Sequence, residues 1–225
     1  VKVSDLFLPG GRIVSTRDRH KNERAFDAKA DGTVFLPKPG EPRPMAVLVN
    51  RNTASASEIV AAALQDHNRA VVVGERTYGK GSVQRTFEVS KDPPAKIKLT
   101  VETYWRPSGK NIHRYPDSKE TDDWGVRPNQ GLEVPITEDE LNRYRVEMRK
   151  LDWVAGKPAV VGPNPPKAPT PKGRDGKPLI DDSKPFEDRV LNRALEHLRK
   201  ELGGVGQAPA PIPAPAAPLA PGIAA

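Results

Sequence analysis

Ser55 and Lys80 stand 25 positions apart, in Thr53-Ala54-Ser55-Ala56-Ser57-Glu58 and Tyr78-Gly79-Lys80-Gly81-Ser82-Val83-Gln84. A serine hydroxyl attacks a carbonyl only when a base takes its proton, and a lysine serves as that base only as the neutral amine. Held together, the two residues predict acyl transfer by a serine nucleophile. Gln84 would share a strand face with Ser82 and Lys80, where it could orient the amine. Each residue also has a plainer use. Ser55-x-x-Glu58 is the sequence of a helix capping box, Gln84 could be an ordinary strand glutamine, and most loop lysines are simply solvated.

Gly74-x-x-x-x-Gly79-Lys80 approaches a phosphate-binding loop and departs from it twice. Gly81 stands where Ser or Thr would hold magnesium, and residues 82–89 alternate like a strand where a helix should begin. Nucleotide binding is therefore not expected. The glycines instead allow a tight turn that presses the Lys80 stem into apolar surroundings, where loss of ammonium solvation favours the neutral amine.

The elements around these residues are legible. Residues 45–49 form a continuous apolar run, read as a strand buried on both faces. Residues 50–54 are a polar loop, 57–65 are helical in composition, and 70–73 form a second apolar run closed by Gly74. Strand, loop, helix and strand make a parallel βαβ unit and an α/β fold. In such sheets reactive groups gather beyond the carboxyl ends of the strands. A helix N-terminus there offers free N–H groups and a positive dipole end to a developing oxyanion. The amide of Ala56 is the natural first donor.

Elsewhere, residues 1–8 read as a strand and 1–15 as two short strands turned at Pro9-Gly10-Gly11. Residues 16–44 are polar and read as a surface excursion. Two further strands are expected at 83–89 and 97–105, and Thr137-x-x-Glu140 opens a helix to about residue 150. The chain is expected to divide into a core at 1–155, a Pro-rich linker at 156–185, an amphipathic helix at 186–202 and a disordered Pro/Ala tail at 203–225. Leu191, Leu195, Leu198 and Leu202 share one face of that helix.

Composition sets limits. With 25 prolines and 18 glycines in 225 residues, the chain should hold a core of about 150 residues with flexible additions. The net charge of +7 is spread among interspersed acids and bases, so no nucleic-acid partner is expected. There is no cysteine, which removes disulfides and thiolate metal ligands. No apolar run reaches the ~20 residues of a membrane span. The chain opens at Val1 without a leader, and reads as a piece of a longer protein.

Ala46-Val-Leu-Val-Asn50, Ser55-Ala-Ser-Glu-Ile59, Ala62-Ala-Leu-Gln-Asp66, Arg69-Ala-Val-Val-Val-Gly-Glu75 and Thr77-Tyr-Gly-Lys-Gly-Ser-Val-Gln84 resemble the C-terminal processing (tail-specific) serine peptidases. The likeness is nearly unbroken over 46–89, looser through 98–100, 106–112 and 125–128, and includes 1–15. It implies a crotonase/ClpP-like α/β core, present here in part. It also implies Ser55 as nucleophile, Lys80 as general base and Gln84 in support. Asp66 matches an acidic position sometimes counted with the site, and is read here as structural because it closes the helix. By the same resemblance there is no metal or cofactor, the substrates are proteins or peptides with accessible C-termini, and the location is the periplasm or cell envelope. A PDZ domain and the glycine loop carrying the second oxyanion donor would lie upstream of Val1, so the isolated chain should be weakly active or inactive. The alternative is a non-catalytic binding module that keeps the fold.

Overall fold

The computed structural model describes residues 1–29, 43–151 and 186–203. In chain order its elements are α1 (Lys2–Asp5), β1 (Arg12–Asp18), β2 (Glu23–Asp27), β3 (Ala46–Val49), α2 (Ala56–Asp66), β4 (Val71–Gly74), β5 (Ser82–Lys91), β6 (Pro94–Trp105), α3 (Glu138–Leu151) and α4 (Arg189–Gly203). The architecture is α/β.

The βαβ unit forms as its apolar runs predict. β3 and β4 pair in parallel, Ala46 against Val71 and Val49 against Gly74, with α2 as the crossover. A strand's side chains alternate between faces, so successive valines of β4 enter different layers. Val72 joins Ile59, Ala61, Ala62 and Leu64 of α2, together with Ile13, Val14, Ile112 and Val126. Val73 joins Leu132, Val134, and Val190 and Ala194 of α4. Fully burying one side chain such as Leu64, 1% exposed, is worth roughly 1.5–3 kcal/mol. The small alanines of α2 favour helix and leave little bulk between it and the strands.

β5 and β6 form a long antiparallel hairpin in a second sheet of order β2-β1-β6-β5. β1 joins the two layers, because Ile13 and Val14 belong to the core that α2 covers.

Three expectations change. Residues 2–5 make a single helical turn in place of a strand, with the Asp5 amide donating to the Val1 carbonyl at 3.0 Å. Strand alternation would have put Asp5 on the same face as Val1 and Val3. The turn instead buries Ser4, with Leu8 buried just beyond it, and frees Asp5 to accept from the Lys29 amide at 2.6 Å. Second, residues 16–18 complete β1 and 23–27 form β2, so this part of the expected excursion is a hairpin. Its turn is held by Asp18, whose carboxylate accepts from the amides of His20 and Asn22. Third, β3 is not buried on both faces, since Leu48 is 42% exposed.

The expected linker at 156–185 lies outside the described residues, as do 30–42 and the tail beyond Gly203. α4 seats itself through Val190 and Ala194, while Leu191, Leu195 and Leu202 are 42%, 36% and 50% exposed.

Candidate active site

Beyond the end of β3 the chain folds back into a tight turn. The Ser57 amide donates to the Ala54 carbonyl at 3.3 Å, and Ser55 occupies the first central position with φ 58° and ψ −117°. That is the conformation of a type II′ turn, which glycine normally fills. For a residue with a side chain it costs of order 1–3 kcal/mol and persists only where neighbours fix it. Ser55 is half-buried. Ala56, exposed, is the first residue of α2, so its amide is among those without an acceptor inside the helix.

The lysine loop leaves β4 at Gly74, whose φ of 124° turns the chain where a Cβ would fall 2.0 Å from the Val49 carbonyl oxygen. At Gly81 a Cβ would lie 2.3 Å from the His113 backbone nitrogen. Any side chain at either position would push the loop away from its neighbours. Backbone bonds then fasten the loop on both sides. Tyr78 donates to the Thr53 carbonyl at 2.9 Å, Thr77 donates to Val126 at 3.0 Å, and Gly79 accepts from Arg114 at 2.9 Å.

Glu58 joins the two loops. It is wholly buried. Its Oε2 accepts from the Ser55 amide and from the Lys80 amide, both at 2.8 Å. Its Oε1 accepts from the Gly79 amide at 2.7 Å and from Thr77 Oγ1 at 2.5 Å. Thr77 Oγ1 accepts in turn from the Val126 amide at 2.8 Å. The Glu58 half of the expected capping box is thus formed, and the same carboxylate also reaches a loop some twenty residues along the chain.

Ser55 and Lys80 are therefore neighbours through their backbones. Among the described residues no side-chain hydrogen bond links Ser55, Lys80 and Gln84 to one another. Lys80 is exposed, where the sequence suggested an apolar site. The loop is anchored through the Lys80 amide, which leaves the side chain at the surface. Gln84 sits on β5 opposite Thr100 and is also exposed. Asp66 is committed elsewhere. Its Oδ1 and Oδ2 accept from Arg106 at 2.5 and 3.2 Å, and Oδ2 also accepts from the Ser108 amide at 3.0 Å.

Two residues at the site were not foreseen in this role. Glu58 appeared in the sequence as a capping residue and within the family pattern, and Thr77 only as part of that pattern. Close by, Arg76 lies with its guanidinium 3.3 Å from the centre of the Trp124 ring. It donates to the carbonyls of Glu120, Asp122 and Trp124. Burial pulls its pKa down to about 10. Together with Arg51, Tyr78 and Arg114 it lines a cavity of about 330 Å³ beside the lysine loop. Among the described residues no cluster of His, Asp and Glu could hold a metal ion, and no helix is long and apolar enough to cross a membrane.

The geometry is that of a strained serine at a helix N-terminus, bonded through a shared carboxylate to a glycine-flanked lysine. The model of peptidase family S41 matches residues 1–130, which carry the whole of it. The chain belongs to that family. It is 34% identical over 203 residues to a carboxy-terminal-processing protease of Bartonella bacilliformis, covering 90% of this chain and 41% of the relative. With a carboxyl-terminal-processing protease of Synechocystis it shares 38% over 136 residues, or 60% of this chain and 28% of that protein. Among solved structures, the photosystem II D1 C-terminal processing protease is 30% identical with a TM-score of 0.47, over 59% of this chain and 29% of that one. The S41 chain described here thus spans less than half the length of these relatives.

Proposed function

We propose that the chain supplies the nucleophile and general base of a serine peptidase that cleaves proteins near their C-termini. The Lys80 amine takes the Ser55 hydroxyl proton as Oγ bonds to the scissile carbonyl carbon. The carbonyl oxygen becomes an oxyanion beside the Ala56 N–H and the positive end of α2. When the C–N bond breaks, the Lys80 ammonium gives its proton to the leaving amine, and Ser55 is left as an ester. A water then attacks the ester carbonyl, passing a proton to Lys80, and the serine leaves with that proton restored. Gln84 acts in support, orienting the lysine once substrate is in place. Asp66 takes no part.

One observation carries this reading: a serine held at φ 58°, with its amide on the same carboxylate oxygen as the amide of the lysine. Backbone strain of this kind collects at sites where a side chain must be presented in one pose. The names of the relatives support C-terminal processing as the reaction, with substrates whose C-termini are accessible. A periplasmic or cell-envelope location belongs to the same proposal.

The deciding measurement is covalent and needs no turnover. A fluorophosphonate probe should label Ser55, located by peptide mass spectrometry. Ser55→Ala should abolish the label, and Lys80→Ala should slow it by about 10²–10⁴, the usual worth of a general base. A label on another residue, or no label, would sink the proposal.

A further inference from the structure

We infer that Glu58 is a positioning residue of this site: it holds the strained Ser55 and the lysine loop in one fixed relation, and the reactivity of Ser55 depends on it. The inference rests on the reading of Ser55 and Lys80 as nucleophile and base. Glu58 itself touches no substrate in this role and acts through the backbone.

A carboxylate with no exposure must have its charge and lone pairs met within the protein. A carboxylate offers about four acceptor sites. Four donors reach Glu58: the amides of Ser55, Gly79 and Lys80 and the hydroxyl of Thr77. Every one is a donor, so Glu58 serves them all only as a carboxylate. A glutamine at this position would turn its NH2 group toward two of them. Glu58 also lies in the first turn of α2, where the dipole favours a negative charge.

What the four bonds fix is more specific than stability. Oε2 sets the distance between the Ser55 and Lys80 backbones, because both amides point at one atom. Oε1 sets the approach of the loop to the helix through Gly79 and Thr77. Thr77 passes the constraint on to Val126, whose amide donates to the same hydroxyl. Ser55 has an unfavourable backbone conformation that its neighbours must enforce, and its N–H is bound by Glu58. Loss of the carboxylate lets that turn relax and lets the lysine loop drift, and a misplacement of about 1 Å can cost about 10²-fold in a positioned reaction.

The test uses Glu58→Gln in the full chain, with two readouts. Amide hydrogen exchange at Gly79 and Lys80 reports the loop directly and needs no activity. In the wild type the Lys80 amide should be protected although the residue is exposed. In Glu58→Gln both amides should exchange at least tenfold faster. Fluorophosphonate labelling of Ser55 should slow at least tenfold in its limiting rate with little change in the concentration for half-maximal rate, while the circular dichroism of the helices is retained. Faster exchange with labelling unchanged would make Glu58 merely structural and overturn the inference, as would unchanged exchange. If Glu58→Gln does not fold, Thr77→Val removes one donor only and must raise exchange at Gly79 and slow labelling, or the inference fails. Absence of labelling in the wild type would instead count against the proposed chemistry, and the exchange data would still decide whether Glu58 fixes the loop.

Discussion

Arg106 grips both oxygens of Asp66, Nη2 to Oδ1 at 2.5 Å and Nε to Oδ2 at 3.2 Å, with the two side chains only 11% and 10% exposed. The pair joins the end of α2 to the turn after β6, and Arg106 adds a bond to Gln65 Oε1 at 2.8 Å. A buried pair is weak evidence of net stabilisation, but removing one member strands the other charge in a poorly solvated place. Arg106→Leu should therefore cost about 3–5 kcal/mol in urea unfolding.

The same pair separates structure from chemistry. Asp66→Asn should lower the unfolding midpoint yet leave fluorophosphonate labelling of Ser55 within about twofold per folded molecule, since the carboxylate is occupied by Arg106 and Ser108. A loss of labelling well beyond that, at unchanged stability, would return Asp66 to the reaction.

Acid should loosen the contact between α3 and α4. The Glu140 pKa is held below the ordinary glutamate range, first by the backbone bond with Thr137 and then by the side-chain bond with Arg189. Arg189, the first residue of α4, donates to Glu140 Oε1 at 2.9 Å, so one carboxylate caps α3 and holds α4. A depressed carboxylate contributes stability that is present above its unfolded-state pKa and lost as pH falls through its folded-state value. Urea midpoints of the wild type and Glu140→Gln should therefore differ most well above the ordinary glutamate pKa of about 4.3 and draw together as pH falls below it. A constant gap across that window would show that the ionised group contributes nothing there.

Much of this was readable from local signals. The segment 45–74 announces itself because each apolar run is continuous, the intervening stretch is helical in composition, and Gly74 ends the second run. Thr137 and Glu140 bond each other's backbones as their spacing suggests. What was missed depends on contacts far along the chain or on runs too short for a period. Ser55-x-x-Glu58 has one sequence whether the carboxylate stays within its helix or also reaches Gly79 and Lys80. β2 carries just one large apolar side chain, Phe26, and is held by pairing with β1 and by Arg12 on Asp27. α1, with four residues, shows no helical repeat. The exposure of Lys80 was hidden for the same reason as the role of Glu58, since nothing nearby in sequence says that the loop is anchored through its amides.

The face of α4 offers a last contrast. The four leucines at 191, 195, 198 and 202 form the more apolar stripe, and on sequence alone that stripe is the face to bury. The structure seats the helix by Val190, 8% exposed, and Ala194, 1% exposed, against Val73, Leu132 and Val134. Close approach of the helix to the sheet explains the choice, because a small residue at 194 lets the backbone come near. Ala194→Leu adds bulk to a filled contact and should cost about 1–3 kcal/mol by overpacking. Leu195→Ser removes a side chain that is 36% exposed and outside that contact, and should stay within about 0.5 kcal/mol. Urea midpoints of the two variants decide it. If Leu195→Ser is the more damaging, the leucine stripe is the buried face and the seating of α4 described here is wrong.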